Sequence, residues 1–254
     1  MNLQSLSAFP TYPTNANKTK NTIRWMSSDD GDDSPDAAGE LLYILAREEQ
    51  EEIDTGNNDM PSDLKDLKRT IEQDWKIVEG SGDSATVNLY SKSSTPKVQI
   101  SFHCQDTVKD VSEGYDDDDA NAPEGGGGGA DDDYDEEQTG GVRFAVTVTK
   151  AGKTLTMQCL SEYGACNIET ISTTTNTDPD TIHSNNGVPT DKTLYQGPEF
   201  GELAEDLQEA FGVYLDETCG VNGDVAAFIA MYADYKEQLH YVKFLKDAQS
   251  IVKP

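Results

Sequence analysis

The sequence has little positive charge and no long apolar run. Only 19 of its 254 residues are Lys or Arg, against 48 Asp or Glu, so the formal net charge is −29. No stretch approaches the roughly 20 apolar residues that a membrane-spanning helix needs, and no transmembrane segment is expected. A protein that binds nucleic acid through bulk charge is also disfavoured, because phosphates would be repelled. The partners that this charge favours are basic proteins, basic peptides or metal ions.

Cysteine and histidine are too few and too scattered to predict a disulfide framework or a metal site. The four cysteines include no Cys-x-x-Cys pair, and the simplest interpretation is buried free thiols in a reducing compartment. His103 and Cys104 are neighbours in a predicted strand, where they would point to opposite faces and could not easily bind one metal ion. The cysteines are Cys104, Cys159, Cys166 and Cys219.

The first 28 residues contain no acidic side chain, whereas Asp29 begins an acidic segment. A basic leader rich in Ser, Thr and Asn, without an apolar core, is typical of an organelle transit peptide. The sequence around Met26 resembles a mitochondrial processing site. We therefore predict a mitochondrial transit peptide over residues 1–26 and an acidic disordered segment over residues 27–36. A plain disordered tail and a plastid transit peptide are the alternatives.

Apolar residues follow helical spacing near both ends of the remaining chain and alternate with polar residues between them. The spacing predicts an amphipathic helix over residues 37–53 and two more helical stripes over residues 200–215 and 225–245. Alternation joined by short turns predicts an antiparallel meander, and the order of elements predicts an α+β domain with the helices on one face. The alternating segments are Trp75–Val78, Val87–Leu89, Val98–Cys104, Phe144–Val148, Leu155–Cys159 and Cys166–Thr173.

A strongly acidic insert interrupts the predicted strands. Residues 106–137 hold fourteen acidic residues, one basic residue and a run of five glycines. Such a segment cannot bury enough apolar surface to offset its ordering entropy, so we predict a disordered loop over residues 106–140. A second mobile loop is predicted over residues 172–193. The insert's acids are the candidate partner-binding residues, with weak calcium association left open: Asp116, Asp117, Asp118, Asp119, Asp131, Asp132, Asp133, Asp135, Glu136 and Glu137.

Four short motifs partly match the sequence patterns of functional sites, but each lacks the further residues or the surroundings that such a site needs. Residues 152–154 lack the first glycine of a phosphate loop and join two predicted strands. Residues 54–56 match one aspartic-protease triplet, but such enzymes need two carboxylates. Residues 176–180 have calcium-loop spacing without the later Gly and Glu. The basic cluster at residues 65–69 lies on the approach to Trp75. No catalytic residue, cofactor, metal site or nucleic-acid site is predicted, and an enzyme is not expected.

The C-terminal residues carry a set of motifs that resembles a known family. They include Tyr195-Gln196-Gly197-Pro198-Glu199-Phe200 and Tyr241-Val242-Lys243-Phe244-Leu245. With Trp75 and the predicted strands, residues 37–254 resemble the mitochondrial acidic matrix glycoprotein family. The resemblance implies a seven-stranded antiparallel sheet flanked by one N-terminal and two C-terminal helices. It also implies a doughnut-like homotrimer in the mitochondrial matrix.

The resemblance further implies a non-catalytic, multivalent acidic binding or chaperone-like scaffold. Such a protein would engage basic mitochondrial ribosomal or RNA-binding proteins and support ribosome assembly, translation and respiration. The composition agrees, because removal of the basic leader would leave about −32 charges per chain and strengthen attraction of basic partners. The alternative is a structural assembly adaptor that recognises partners through its folded ring surface, with the acidic loop only solubilising it.

Overall fold

In the computed structural model, the alternating segments form one antiparallel sheet. The structure describes residues 37–56, 58–108, 141–162, 164–175, 195 and 197–253. Each strand pairs with the next along the chain, in the order β1 to β6. The strands are β1 (Trp75–Glu79), β2 (Thr86–Ser91), β3 (Lys97–Thr107), β4 (Val142–Lys150), β5 (Lys153–Glu162) and β6 (Ala165–Thr174). The α+β class is confirmed, but the described residues contain six strands, so the seventh implied by the resemblance is not confirmed.

The helices differ from expectation at the N-terminal side. They are α1 (Ala37–Asp54), α2 (Ser62–Asp74), α3 (Glu205–Val213) and α4 (Gly223–Val252). A 3₁₀ turn, Phe200–Glu202, precedes α3, and a π-helical turn, Tyr214–Thr218, follows it. The prediction of one N-terminal helix is therefore wrong, because α2 occupies residues for which no helix was predicted. Its apolar positions Leu64 and Ile71 are buried at helical spacing.

The helical layer covers one face of the sheet. Helix α4 packs against β3, β4, β5 and β6, while α1 packs on α4 and α2 packs on β1 and α4. The apolar side chains of β3, including Ile100 and Phe102, contribute to a core that also contains Phe228 and Ile229 of α4. Gln99 lies between Val98 and Ile100 in β3, so it faces the opposite side of the sheet. Helix α4 thus supplies most of the apolar cover.

Residues 152–154, which partly match a phosphate-loop pattern, begin in the two-residue connection between β4 and β5. Lys150 and Lys153 pair directly, and the two residues between them have positive φ: 52° at Ala151 and 73° at Gly152. Two consecutive positive φ values are typical of a type I′ hairpin turn, which suits the twist of the strands. Residues 152–154 therefore leave a hairpin and do not open a helix.

Two predicted loops begin later than expected. Strand β3 continues through Thr107, and the Val108 amide donates to the Gly141 carbonyl over 2.7 Å. The insert predicted from residue 106 therefore begins in a paired strand, since backbone pairing continues into its first residues. Likewise, β6 extends through Thr174, into the loop predicted from residue 172. Residues 109–140 and 176–194, like residues 1–36, lie outside the described residues.

Within the described part of the chain, no helix combines the length and apolar character needed to cross a membrane.

Candidate protein-interaction surface

The ten acidic residues predicted to bind partners, Asp116 to Glu137, fall outside the described residues. The residues with calcium-loop spacing, 176–180, also fall outside them. The structure therefore leaves both predictions as they were. It does describe a second concentration of negative charge, which sequence reasoning passed over.

Carboxylates crowd the segment that contains the 3₁₀ turn, α3 and the π turn. Residues 197–218 include seven Asp or Glu and no Lys or Arg. All seven side chains are exposed, and none forms an ion pair with another residue in the described part of the chain. We call this set the α3 acidic surface: Glu199, Glu202, Glu205, Asp206, Glu209, Asp216 and Glu217.

Apolar anchors beneath α3 explain why its acids face outward. Phe200 and Phe211 meet edge to face at 6.4 Å and pack against the core, and Leu215 in the π turn is buried. The Gln208 amide donates to the Leu203 carbonyl over 2.8 Å, which ties the start of α3 to the 3₁₀ turn. Because Phe211 packs against the core, the carboxylates of this short helix lie on its solvent-facing sides.

The surface also offers exposed apolar groups. Leu207 and Val213 on α3 are 42% and 48% exposed among the carboxylates. Carboxylates alone attract any cation, but carboxylates beside exposed apolar groups complement a segment that carries both basic and apolar side chains. The geometry therefore fits a basic, partly apolar protein segment better than a simple ion.

Acids elsewhere in the fold are more often neutralised. Glu79 accepts from Lys236 at 2.6 Å, Asp83 lies 3.0 Å from Lys243, and Glu49 lies 3.8 Å from Lys246. The hydrogen bond from Lys243 and its positive charge lower the pKa of Asp83. These pairs cancel charge locally. The α3 acidic surface has no such pair among the described residues, so it keeps more of its negative electrostatic potential.

The basic cluster of α2 is also partly engaged by neighbours. Arg69 lies 2.6 Å from Asp66, and the Lys68 ammonium lies over the Tyr232 ring at 5.6 Å from its centroid. These contacts hold two of the cluster's three basic groups. Lys65 is exposed. The cluster lies on the approach to Trp75, as expected, and that approach is helix α2.

A simple signal in the sequence could have located the α3 acidic surface. No Lys or Arg occurs between Lys192 and Lys236, although nine acids occur in that span. The longer acidic runs of the insert draw attention first. The acids of residues 197–218 are dispersed in the sequence, but they are all exposed in the fold and together form a comparable surface.

Comparison with known proteins places the chain in a family. Residues 45–252 match the family model described as mitochondrial glycoprotein, which is most of the chain. The chain belongs to the mitochondrial glycoprotein family. The resemblance noted in the sequence is thereby confirmed, and the family's description associates its members with mitochondria.

Two solved structures have a similar fold. One is a Leishmania major protein described as hypothetical, of unknown function and homologous in sequence to human p32. It superposes with a TM-score of 0.62 at 17% identity, covering 86% of this chain and all of that chain. The other is the Trypanosoma brucei p22 protein, with a TM-score of 0.59 at 17% identity and coverage of 85% and 98%. At this identity the likeness supports the fold alone.

Proposed function

We propose that this mitochondrial glycoprotein family member is a non-catalytic acidic binding scaffold of the mitochondrial matrix that engages basic proteins. The observation that carries the proposal is the α3 acidic surface, where seven exposed carboxylates lie without a basic neighbour in residues 197–218. The acidic insert adds charge that can act on the same partners. The function is therefore assigned to the summed field of a folded surface and an acidic segment.

Electrostatic attraction explains how such a scaffold would select partners. A surface of one sign raises the local concentration of oppositely charged proteins and accelerates their encounter. Salt weakens this attraction, because the Debye length falls from about 10 Å at 0.1 M ionic strength to about 3 Å at 1 M. We therefore expect binding of Lys- and Arg-rich proteins that weakens steeply as salt is added.

Mitochondrial ribosomal and RNA-binding proteins are the partner class that we propose. Such proteins carry excess positive charge before they meet RNA, and an acidic scaffold would shield that charge against aggregation or premature RNA contact. This chaperone-like role would support ribosome assembly and translation, and through them respiration and oxidative phosphorylation. The scaffold itself would need no catalytic residue or cofactor.

A homotrimer is part of the proposal. It is supported by apolar side chains that α1 and α4 leave exposed: Leu41 and Ile44 at 44% and 39%, and Phe244 and Ile251 at 60% and 82%. A closed threefold ring would cover such groups and multiply the acidic surface. Mass measured by light scattering would test it. We expect a trimer that Phe244→Asp with Ile251→Asp dissociates, while the control Val213→Asp leaves it intact.

The binding proposal is tested with matched charge variants of the chain from Ser27. The α3 variant carries Glu205→Gln, Asp206→Asn and Glu209→Gln. The control removes the same charge from exposed acids around α2, through Asp59→Asn, Glu72→Gln and Asp74→Asn. Titration with a purified basic ribosomal protein at low salt should show about a tenfold loss of affinity for the α3 variant and little loss for the α2 control.

A third variant separates the acidic insert from the folded surface. Its insert acids, Asp116 to Glu137, are replaced by Asn and Gln. Loss of affinity here, with no effect of the α3 variant, would place binding in the insert and contradict the role of the α3 acidic surface. Full affinity in every variant at low salt would refute the electrostatic scaffold. It would favour the alternative, a structural assembly adaptor that recognises partners through its folded ring surface, with the acidic loop only solubilising it.

A further inference from the structure

Three of the four cysteines converge between the sheet and the helical layer. Cys159 lies on β5, Cys166 lies on β6, and Cys219 follows the π turn. Cys159 is opposite Ile168, and Cys166 is opposite Ser161, so the two cysteines are diagonal neighbours on the same face of the β5–β6 hairpin. The register shifts between Gln158 and Cys159, which brings an irregularity to this point of the ladder.

Strand pairing places the two hairpin thiols beside each other, and the Cys159 thiol also donates to the Met157 carbonyl over 3.9 Å. A side-chain hydrogen bond with Cys166, together with burial, raises the pKa of Cys159, and nearby Cys219 acts in the same direction. All four cysteines are free thiols. Cys104 on β3 is the internal comparison, because burial and Glu237, with no contribution from another thiol, raise its pKa to about 11.

Accessibility distinguishes the members of this group. Cys159 is fully buried and Cys219 is 3% exposed, whereas Cys166 is only half-buried. An oxidant in solution can therefore reach Cys166 first. Cys159 is held beside it as a second thiol that solvent does not reach. An accessible thiol next to a buried partner is the arrangement that resolves an oxidised cysteine into a disulfide.

We propose that Cys166 and Cys159 form a dithiol site that a hydroperoxide oxidises to a reversible intramolecular disulfide. The Cys166 thiolate attacks a peroxide oxygen, the O–O bond breaks, and the sulfur becomes a sulfenic acid. The Cys159 sulfur then attacks the Cys166 sulfur, loses its proton, and expels hydroxide, which leaves as water. Overall, two thiols and one hydrogen peroxide give one disulfide and two waters. A small dithiol returns the pair to the reduced state by exchange.

The site is linked to the α3 acidic surface through β6. Thr170 of β6 forms a bridge with Glu199, at the start of that surface. A disulfide across the β5–β6 hairpin would stiffen β6, on which this bridge depends. We therefore expect oxidation to slow amide exchange in β6.

Exposure of the reduced full chain to graded hydrogen peroxide tests the proposal. Cleavage after Glu162 separates the two cysteines, so mass spectrometry can identify a linked peptide pair that falls apart with dithiothreitol. In the wild-type chain, free thiols should fall from four to two. In Cys104→Ser they should fall from three to one, and in Cys166→Ser all three should remain.

A folding check on the variant and the identity of the oxidation products complete the test. Cys166→Ser changes a half-buried side chain by one atom, and circular dichroism before oxidation checks that it folds. Accumulation of sulfinic acid at Cys166 while Cys159 stays reduced would overturn the proposal. A Cys159–Cys219 linkage, or linkage of Cys166 between two chains, would overturn it equally. Unchanged exchange in β6 after verified disulfide formation would reject the link to the α3 acidic surface.

Discussion

The ion pair between Glu79 and Lys236 should respond very differently to removal of each partner. Lys236 donates to Glu79 over 2.6 Å, and the Tyr232 hydroxyl donates to the other carboxylate oxygen. The Lys236 side chain is 11% exposed, whereas the Glu79 side chain is 43% exposed. Removal of Glu79 therefore leaves a buried charge and a buried hydroxyl without their partner. Removal of Lys236 leaves a carboxylate that water already reaches.

The difference in exposure between the two side chains determines how much each substitution should lower the free energy of unfolding. Breaking a fully buried pair costs about 3–5 kcal/mol, while an exposed pair is worth about 0–1 kcal/mol. Since Glu79 is partly screened by solvent, we expect Glu79→Ala to lower the free energy of unfolding by about 2–3 kcal/mol. Lys236→Met keeps the packing of the long side chain and should cost less than about 1 kcal/mol. The double variant should recover much of the loss, because it contains no buried unpaired charge.

Urea unfolding followed by circular dichroism at pH 7 measures these differences. Burial opposes ionisation of Glu79, but the hydrogen bonds from Lys236 and Tyr232 outweigh it and lower its pKa. The stability that Glu79 contributes is therefore present above its unfolded pKa, near 4.5, and is lost as pH falls through the lower folded pKa. The gap between wild type and Glu79→Ala should narrow below pH 4.5. The reasoning is refuted if Lys236→Met is as damaging as Glu79→Ala.

Three further predictions concern single positions. Burial raises the pKa of both Cys104 and Cys219 from 9.0 to about 11, so the free energy of unfolding should fall between pH 9 and 11, with a smaller fall in Cys104→Val if the thiol is responsible. Asn222→Ala removes the side chain that accepts from the Val225 amide at the start of α4 and should cost about 1 kcal/mol, measurable by thermal unfolding against Asn222→Asp. Gly197→Ala would place a Cβ 1.7 Å from the Ile171 carbonyl oxygen at a φ of 86°, so it should lower the melting temperature far more than Gly201→Ala, where the added Cβ has open space.

The strands could be predicted because apolar and polar side chains alternate along them. In β3, Val98, Ile100 and Phe102 alternate with polar residues, and each apolar residue faces the helical layer. Six segments showed this alternation, and all six are strands. The ends of the strands were predicted less accurately. Asp106 and Thr107, for example, are polar residues whose backbone continues strand β3. The side-chain pattern reports which face of a strand is apolar, while backbone pairing decides where the strand ends.

Helix α2 was not predicted, because few of its residues are apolar. Its sequence, SDLKDLKRTIEQD, is mostly charged or polar, and its apolar residues form a narrow stripe at Leu64, Leu67 and Ile71. The spacing of this stripe is clearly helical, but the low overall apolarity of the segment hides it, even though Leu64 is fully buried and Ile71 is nearly so. Tertiary packing against β1 and α4 therefore defines this helix more than its own composition does.

The sequence alone does not show which acidic residues pair with a base in the fold. Glu79 and Lys236 are 157 positions apart, yet they neutralise each other, while the acids of residues 197–218 meet no base in the described part of the chain. Composition can therefore give the sign of the protein's field, but the fold determines where that field remains at the surface. The same argument applies to Cys159 and Cys166, whose sequence separation suggested no special relation until strand pairing placed them side by side. The dithiol proposal consequently depends on strand pairing, and the scaffold proposal depends on which acids the fold leaves unpaired; the matched variants at each location test these dependences directly.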